Sequence, residues 1–102
     1  GGRLALSAFS AYFQVRHLEV MGSAFDASSG VNHERTSIKD ESGADAEVDL
    51  WTTCFTPREL RLLAWTNHLE PEAVWSVSPG SYGRTAPTVD SEEFLLVATR
   101  RR

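Results

Sequence analysis

Three histidines and a few aromatic side chains are the residues of this 102-residue chain with the most chemical potential. His33 is the strongest candidate acid or base, because Asn32-His33-Glu34 places an imidazole next to a carboxylate. Neighbouring residues of a strand point to opposite faces, so His33 and Glu34 cannot act as a pair if this segment is extended. His33 is therefore a candidate catalytic acid or base, and the alternative is a surface or strand-pairing histidine.

Aromatic residues supply candidate walls for a ligand pocket. Trp51 and Tyr82 lie in segments predicted to be exposed, where they could cover an aromatic or apolar ligand. Trp65 and Trp75 are better explained by core or interface packing. Cys54 precedes a predicted helix, a position that can lower a thiol pKa, but no base lies near it in the sequence and a buried cysteine is favoured.

Composition excludes several classes of protein. A net charge of −4 and a pI near 5.3 argue against nucleic-acid binding, which needs a basic face. A single cysteine excludes an internal disulfide and makes a structural zinc site improbable, so no metal is predicted. No apolar stretch approaches the roughly 20 residues of a membrane span, and no signal peptide is visible. The prediction is a soluble, cytoplasmic protein without membrane or nucleic-acid partners.

The first half of the chain reads as a strand, a helix, a loop and a hairpin. An apolar run after glycines predicts the strand, and Ser10 is a possible N-cap for the helix. A turn-type cluster around Gly43 separates two extended arms and predicts a β-hairpin. The acidic residues around this turn favour a solvated loop over a cation site. The predicted segments are Arg3–Phe9, Ser10–Val20, Gly22–Gly30, and the arms Val31–Lys39 and Glu47–Phe55.

The second half begins with the clearest local signal in the chain. Thr56 can cap a helix, Pro57 suits its first position, and Glu59 can complete a capping box. We expect this helix to end near His68, with Glu70-Pro71 as the break. Strands are predicted over Ala73–Val77 and Glu93–Thr99, and the residues between them read as loop. The predicted core comprises Leu4, Leu6, Leu60, Leu63, Val74, Phe94 and Leu96.

In this order, the elements resemble the C-terminal half of class I S-adenosylmethionine-dependent methyltransferases. Gly1-Gly2-Arg3-Leu4 matches the end of a Pro-Gly-Gly-type motif leading into the family's fifth strand, and Phe55-Thr56-Pro57-Arg58-Glu59-Leu60 matches the start of its last major helix. The closing Glu92-Glu93-Phe94-Leu95-Leu96-Val97 run is similar to the antiparallel seventh strand. The resemblance implies an α/β, Rossmann-like fold with a small mixed sheet of the last three strands, a packed helix and an inserted hairpin.

This resemblance implies one partial domain, organised as residues 1–20 (strand and helix), 31–55 (hairpin) and 56–102 (helix and final two strands). It implies S-adenosylmethionine as cofactor of an intact parent protein. The family's glycine-rich loop and acidic ribose-binding residue belong to the other half, so no cofactor-binding residue is expected in this chain and the chain alone should be inactive. A small molecule is the expected methyl acceptor.

By fold analogy, residues after the first strand border the acceptor pocket, because ligands of open α/β sheets sit beyond the carboxyl ends of the strands. The candidate pocket residues are Ser10, Tyr12, His17, Trp51 and Tyr82, with His33 as the candidate catalytic residue. The alternative function is a non-catalytic α+β binding or dimerisation module. A homodimer through an exposed sheet edge would favour that alternative.

Overall fold

The structure is a computed structural model that describes residues 2–17 and 23–101. Within these residues, seven strands form one mixed sheet and two helices accompany it. The elements, in chain order, are β1 (Arg3–Ser10), α1 (Ala11–Arg16), β2 (Ser23–Asp26), β3 (Val31–Lys39), β4 (Asp45–Phe55), α2 (Pro57–Thr66), β5 (Leu69–Ser78), β6 (Ser81–Thr85) and β7 (Glu93–Arg100). The predicted mixed α/β fold is confirmed.

The sheet order is β2-β3-β4-β1-β7-β5-β6. β7 lies between β1 and β5 and runs antiparallel to both, as the resemblance implied for the last strand. β4 runs parallel to β1 but pairs with it only at its end, where Cys54 is opposite Phe9 and Phe55 is opposite Ser10. The β2–β4 unit therefore joins the rest of the sheet only at the carboxyl end of β1.

Helix α2 starts with the predicted capping box. The Thr56 hydroxyl accepts a hydrogen bond from the Glu59 amide at 3.2 Å, and the Thr56 amide donates to a Glu59 carboxylate oxygen at 2.9 Å. These bonds satisfy amides that a helix N-terminus leaves without partners. The helix ends at Thr66 with Asn67 as its C-cap, and His68, with a φ of 60°, turns the chain into β5.

The core lies between α2 and the centre of the sheet. Leu60 and Ala64 of α2 pack with apolar residues of β7, β5 and β1, namely Phe94, Leu96, Ala98, Val74 and Ala8. The prediction that Leu4, Leu6 and Leu63 are buried is wrong, because they are 38%, 40% and 45% exposed. Leu4 and Leu6 share the face of β1 that carries Ala8, but α2 packs on β5 and β7 and leaves them uncovered. Leu63 lies on the flank of the helix.

Two predicted loops contain strands. Ser23–Asp26, predicted as part of a loop, forms β2 and pairs antiparallel with β3, so the predicted hairpin is the larger part of a three-stranded unit. Ser81–Thr85, also predicted as loop, forms β6 and pairs with β5 after a turn at Gly80, where φ is +80°. Both strands are short edge strands, four and five residues long.

Two boundaries also differ from the prediction. β5 begins at Leu69 and includes Pro71, because a register irregularity between Pro71 and Ala73 accommodates the proline within the strand. Ser10 is the N-cap of helix α1, as predicted, but the helix ends at Arg16 and is shorter than the predicted segment. The remainder of the predicted Ser10–Val20 helix, from residue 18, lies outside the described residues. Neither described helix has the length and hydropathy needed to cross a membrane.

Candidate functional site

The carboxyl ends of β1 and β4 meet next to helix α1. Ser10 lies at this point and is fully buried. Its hydroxyl accepts a hydrogen bond from the Phe13 amide at 3.3 Å, and its amide donates to the Glu92 carbonyl at 3.0 Å. Ser10, a predicted residue of the acceptor pocket, therefore has its side chain engaged as the N-cap of α1.

Tyr12 and His17 lie on and after α1, close to the same end of the sheet. The Tyr12 ring contacts Phe94 edge-on, with centroids 6.4 Å apart, and remains partly exposed. Tyr12 and Val15 also line an open apolar groove of about 380 Å³. His17 is the C-cap of α1, and its ring lies 4.3 Å from that of Phe13. Tyr12 is thus accessible to a ligand, whereas His17 has a local structural role.

His33 is paired with a carboxylate across the β3–β4 ladder. Its Nε2 lies 2.8 Å from Oδ1 of Asp49, on the neighbouring strand. Glu34, its neighbour in the sequence, pairs with Leu50 on the opposite face of the strand, as the alternation of strand side chains requires. A carboxylate can only accept a hydrogen bond, so this contact favours the tautomer of a neutral imidazole that has its proton on Nε2 and leaves Nδ1 as an acceptor. This is the arrangement of a carboxylate-oriented general base.

Trp51 lies directly opposite His33 and stacks on it. The ring centroids are 4.0 Å apart and the planes differ by 12°. Trp51 is nevertheless 69% exposed, so the face that His33 does not cover is open. Trp51 precedes Cys54 by three residues, which places it about 10 Å along the strand from the point where β4 meets β1.

A groove of about 460 Å³ opens between β2 and this pair of strands. It is lined by Ala24, Phe25, Asp26, Ser29, Val31, His33 and Trp51. Phe25 lies opposite Asn32 in the β2–β3 ladder, so its side chain is on the other face of the sheet from that of His33. The groove therefore combines an aromatic surface with an imidazole that is held in place by a carboxylate.

Asp26 contributes a negative charge to the rim of the groove. The hydroxyl of Ser29 donates to its carboxylate at 2.6 Å and the Ser28 amide donates at 3.1 Å. These hydrogen bonds, that from Ser29 first, lower the pKa of Asp26 below its usual value. The turn closes at Gly30, whose φ of +74° suits glycine.

The acidic residues around the hairpin turn serve mostly local pairing. Glu47 lies 2.9 Å from Arg35, and Asp45 lies 3.5 Å from Lys39. Asp40 accepts hydrogen bonds from the Ser42 hydroxyl, the Ser42 amide and the Ala44 amide, at 2.6 to 3.0 Å. The interpretation as a solvated loop fits these contacts.

Tyr82 is far from the other predicted site residues. It lies on β6, at one edge of the sheet, and three strands separate it from β4. It is 62% exposed and borders a shallow cavity with Trp75 and Arg3. The structure therefore brings His33 and Trp51 together and places Ser10, Tyr12 and His17 near the end of β1, but it separates Tyr82 from both groups.

A larger cavity, of about 850 Å³, lies at the opposite end of β1 and contains none of the predicted site residues. Two of its basic side chains have other partners, since Arg3 pairs with Glu72 at 3.1 Å and Arg101 donates to the Trp65 carbonyl at 2.7 Å. Although this cavity is larger, the groove at His33 is the stronger candidate site because it contains an imidazole paired with a carboxylate.

Asp49 was not predicted to be part of the site and was grouped only with several acidic residues near the turn. The hairpin register was the signal that could have found it, because a turn around Gly43 places Trp51 opposite His33 and Asp49 diagonally next to it.

Two solved structures have the same fold as this chain. The CcbJ methyltransferase from Streptomyces caelestis superposes with a TM-score of 0.72 at 14% identity, over 100% of this chain. A S-adenosylmethionine-dependent methyltransferase from Clostridium acetobutylicum ATCC 824 superposes with a TM-score of 0.62 at 10% identity, over 99% of this chain. The fold is part of a methyltransferase fold.

The chain spans 45% of the length of each of these two methyltransferases. The prediction of a fold resembling half of a methyltransferase is therefore confirmed. The sequence itself matches no protein-family model and no curated protein. The similarity is therefore one of backbone fold, and a shared fold does not determine the chemistry of this chain's residues.

Proposed function

We propose that this chain is the C-terminal, methyl-acceptor side of an S-adenosylmethionine-dependent methyltransferase that acts on a small molecule. The described residues contain no glycine-rich turn between a strand and a helix, the arrangement suited to a nucleotide-like cofactor. The cofactor is therefore held by residues outside this chain, and the chain alone transfers no methyl group.

The open edge of β1 is the observation that carries this proposal. The Gly2 carbonyl accepts a hydrogen bond from the Arg100 amide, in β7, and the Ser10 amide donates to the carbonyl of Glu92, the residue before β7. Since bonded pairs alternate along an antiparallel ladder, even-numbered residues of β1 face β7, and Arg3, Ala5 and Ser7 direct their N–H and C=O groups to the other side. Among the described residues, β4 pairs only with Phe9 and Ser10. A further strand fits this unpaired edge.

Exposed apolar side chains support an unfilled docking surface next to this edge. Leu4 and Leu6 expose apolar side chains on the face beside the open edge, and Leu63 does so on α2. A docked cofactor-binding half would remove this apolar surface from water.

In this function the hairpin acts on the acceptor. When bound in the complete protein, S-adenosylmethionine supplies a methyl group on a positively charged sulfur. His33 accepts the proton of the acceptor group at Nδ1, and the Asp49 carboxylate stabilises the imidazolium that forms. Trp51 and the neighbouring apolar residues orient the acceptor and reduce its contact with water.

The alternative, a non-catalytic dimerisation module, is favoured by the same open edge, because an unpaired strand can pair with a second copy. The two functions are distinguished by the oligomeric state of the wild-type chain and of the Ser7→Pro variant, measured by light scattering after size-exclusion chromatography. Proline at position 7 removes an N–H that faces the open edge and leaves the bonds to β7 intact. A wild-type dimer that becomes monomeric in this variant would support the module.

Sequencing the complete reading frame that encodes these residues, and expressing its product, tests the proposed function. We expect it to encode a glycine-rich loop after a strand, outside these 102 residues. The complete protein should bind S-adenosylmethionine with micromolar affinity, and the 102-residue chain should not. Micromolar binding by the 102-residue chain, or a complete frame without such a loop, would contradict the proposal.

A further inference from the structure

We infer that the cavity at the amino end of β1 holds the carboxyl end of a helix from the cofactor-binding half, and that Arg100 and Arg101 cap this end. The helix lies beside α2 and covers Leu4, Leu6 and Leu63. This inference rests on the proposed function, because it assigns the surface to which the cofactor-binding half docks and the element that docks there.

The exposed leucines form one apolar strip between α2 and the open edge of β1. Leu4 and Leu6 lie two residues apart on the strand and share the face that carries Ala8 and α2. Leu63 lies on the side of α2 that faces β1, because Asn67, one turn later on that side, lines the cavity together with Leu4. All three leucines are at least 38% exposed, so a second helix beside α2 would bury them.

The handedness of the chain selects the face on which this helix lies. β1 and β5 are parallel, since each is antiparallel to β7, and the connection between them passes through α2. Connections between parallel strands are right-handed in about 98% of cases. A parallel strand at the open edge of β1 that leads into β1 crosses the sheet in the same direction, so its connecting helix lies on the α2 face. Leu4 and Leu6 are exposed on this face.

A connecting helix runs opposite to β1 and ends where β1 begins. The cavity of about 850 Å³ lies at that end of β1, where Gly2, Leu4 and Leu69 line it. One helical turn is about 10 Å across and 5.4 Å long, or roughly 400 Å³, so the cavity has room for about two turns. Its position and size therefore match the last turns of a helix.

The basic side chains of the cavity match the electrostatic character of a helix carboxyl end. The last four carbonyl groups of a helix lack intrahelical partners, and this end carries a partial negative charge. α2 already has such a cap, because Arg101 donates a hydrogen bond at 2.7 Å to the carbonyl of Trp65, in the last turn of α2. Arg100 lines the same cavity and forms no ion pair with residues 2–17 and 23–101. The two helices therefore end side by side at this pair of arginines.

The surface specifies the chemistry of the helix that covers it. One side of that helix carries apolar residues three and four apart, and its last turn carries no Lys or Arg, because Arg100 and Arg101 repel a cation there. β1 has eight residues, or a length of about 26 Å, so a helix that spans it has about 17 residues. In the complete reading frame, a strand followed by this pattern should directly precede Gly1. A strand joined to Gly1 by a turn of about two to five residues would make an antiparallel hairpin and would overturn the inference.

Truncations compared between two proteins test the docking surface. Leu63→Ala should reduce the free energy of unfolding at least about threefold more in the complete protein than in the 102-residue chain, since truncation of a buried leucine costs more than truncation of an exposed one. Leu62→Ala is the matched control, because Leu62 is 48% exposed and, two residues from Leu60, points away from the sheet. It should have the same small effect in both proteins. Equal losses from Leu63→Ala in the two proteins would overturn the inference.

The arginine cap has a test of its own. Arg100→Gln removes a charge and should lower the urea midpoint of the complete protein more than that of the 102-residue chain, and this difference should shrink as the salt concentration rises. Arg84→Gln, on β6 and outside the cavity, should show no such difference. An effect of Arg100→Gln that is equal in the two proteins would contradict the cap.

The outcome can be separated from that of the proposed function. If the complete protein binds S-adenosylmethionine but Leu63→Ala costs the same in both proteins, the proposed function survives and this inference fails. If Leu63→Ala costs more in the complete protein but that protein binds no S-adenosylmethionine, the helix docks at this surface and the proposed function fails.

Discussion

The imidazole of His33 and the carboxylate of Asp49 lie 2.8 Å apart on neighbouring strands, although sixteen residues separate them in the sequence. The register of the β3–β4 ladder brings them together, and Trp51 stacks on the same imidazole. A base, the group that orients it and an aromatic surface therefore belong to one rigid strand pair.

Replacing His33 by Gln should slow methyl transfer by the complete protein about 10²–10⁴-fold, because the loss of a positioned general base has an effect of this size. Initial rates of methyl transfer from labelled S-adenosylmethionine to a small-molecule acceptor provide the measurement. His68→Asn is the matched control, since Asn tolerates the positive φ of position 68 and His68 lies outside the groove. Equal rates in wild type and His33→Gln would exclude a catalytic role for His33.

Truncating Leu60 to Ala should lower the free energy of unfolding by about 2–5 kcal/mol, because Leu60 is only 1% exposed at the centre of the core. The same truncation at Leu63, one turn away on α2 and 45% exposed, should cost about 1 kcal/mol or less. Urea unfolding followed by circular dichroism measures both values. Similar losses in the two variants would mean that α2 packs on the sheet through a different face.

The stability of the turn between β3 and β4 should depend on the ionisation of Asp40. Hydrogen bonds from the Ser42 hydroxyl, and then from the Ala44 amide, lower the pKa of Asp40 below its usual value. A depressed native pKa stabilises the folded turn above the pKa of the unfolded chain, about 4, and this stabilisation is lost as the pH falls through the native pKa. Carboxyl carbon titration by nuclear magnetic resonance should give the lowered value.

Asp40→Asn is the control for that titration. Its turn should be less stable at neutral pH and should show no transition between pH 4 and the native pKa of Asp40. If the turn signals of the wild-type chain did not change below pH 4, the hydrogen bonds to Asp40 would not stabilise the turn.

Cys54 should be an unreactive thiol in the folded chain. Burial raises its pKa, so the thiolate that reacts with disulfide reagents is scarce as well as inaccessible. Its reaction with DTNB at pH 8 should be much slower in buffer than in denaturing urea. Comparable rates in the two solutions would show that the junction between β4 and β1 opens readily.

Helices and strands with a strong local sequence pattern were predicted correctly. The Thr56–Glu59 capping box predicted α2, a mostly apolar run predicted β1, and an unbroken apolar run predicted β7. β2 and β6 were missed because strands this short are stabilised by their pairing partners rather than by their own side chains. The inclusion of Pro71 in β5 depends on a bulge, which a sequence pattern does not reveal.

Individual residues of the site were predictable from the sequence, but the contacts between them were not. His33 and Trp51 were identified from their residue types, but their stacking depends on the register of two strands. The same register decides that Asp49, and not Glu34, is the partner of His33. The exposure of Leu4 and Leu6 was unpredictable from their hydrophobicity, because it depends on which surface α2 covers.

Calorimetric titration with S-adenosylmethionine, carried out on the 102-residue chain and on the protein from the complete reading frame, tests the central claim most directly. The proposed division into an acceptor side and a separate cofactor side predicts micromolar binding by the complete protein and no measurable binding by the 102-residue chain. Micromolar binding by the 102-residue chain, or no binding by the complete protein, would contradict it.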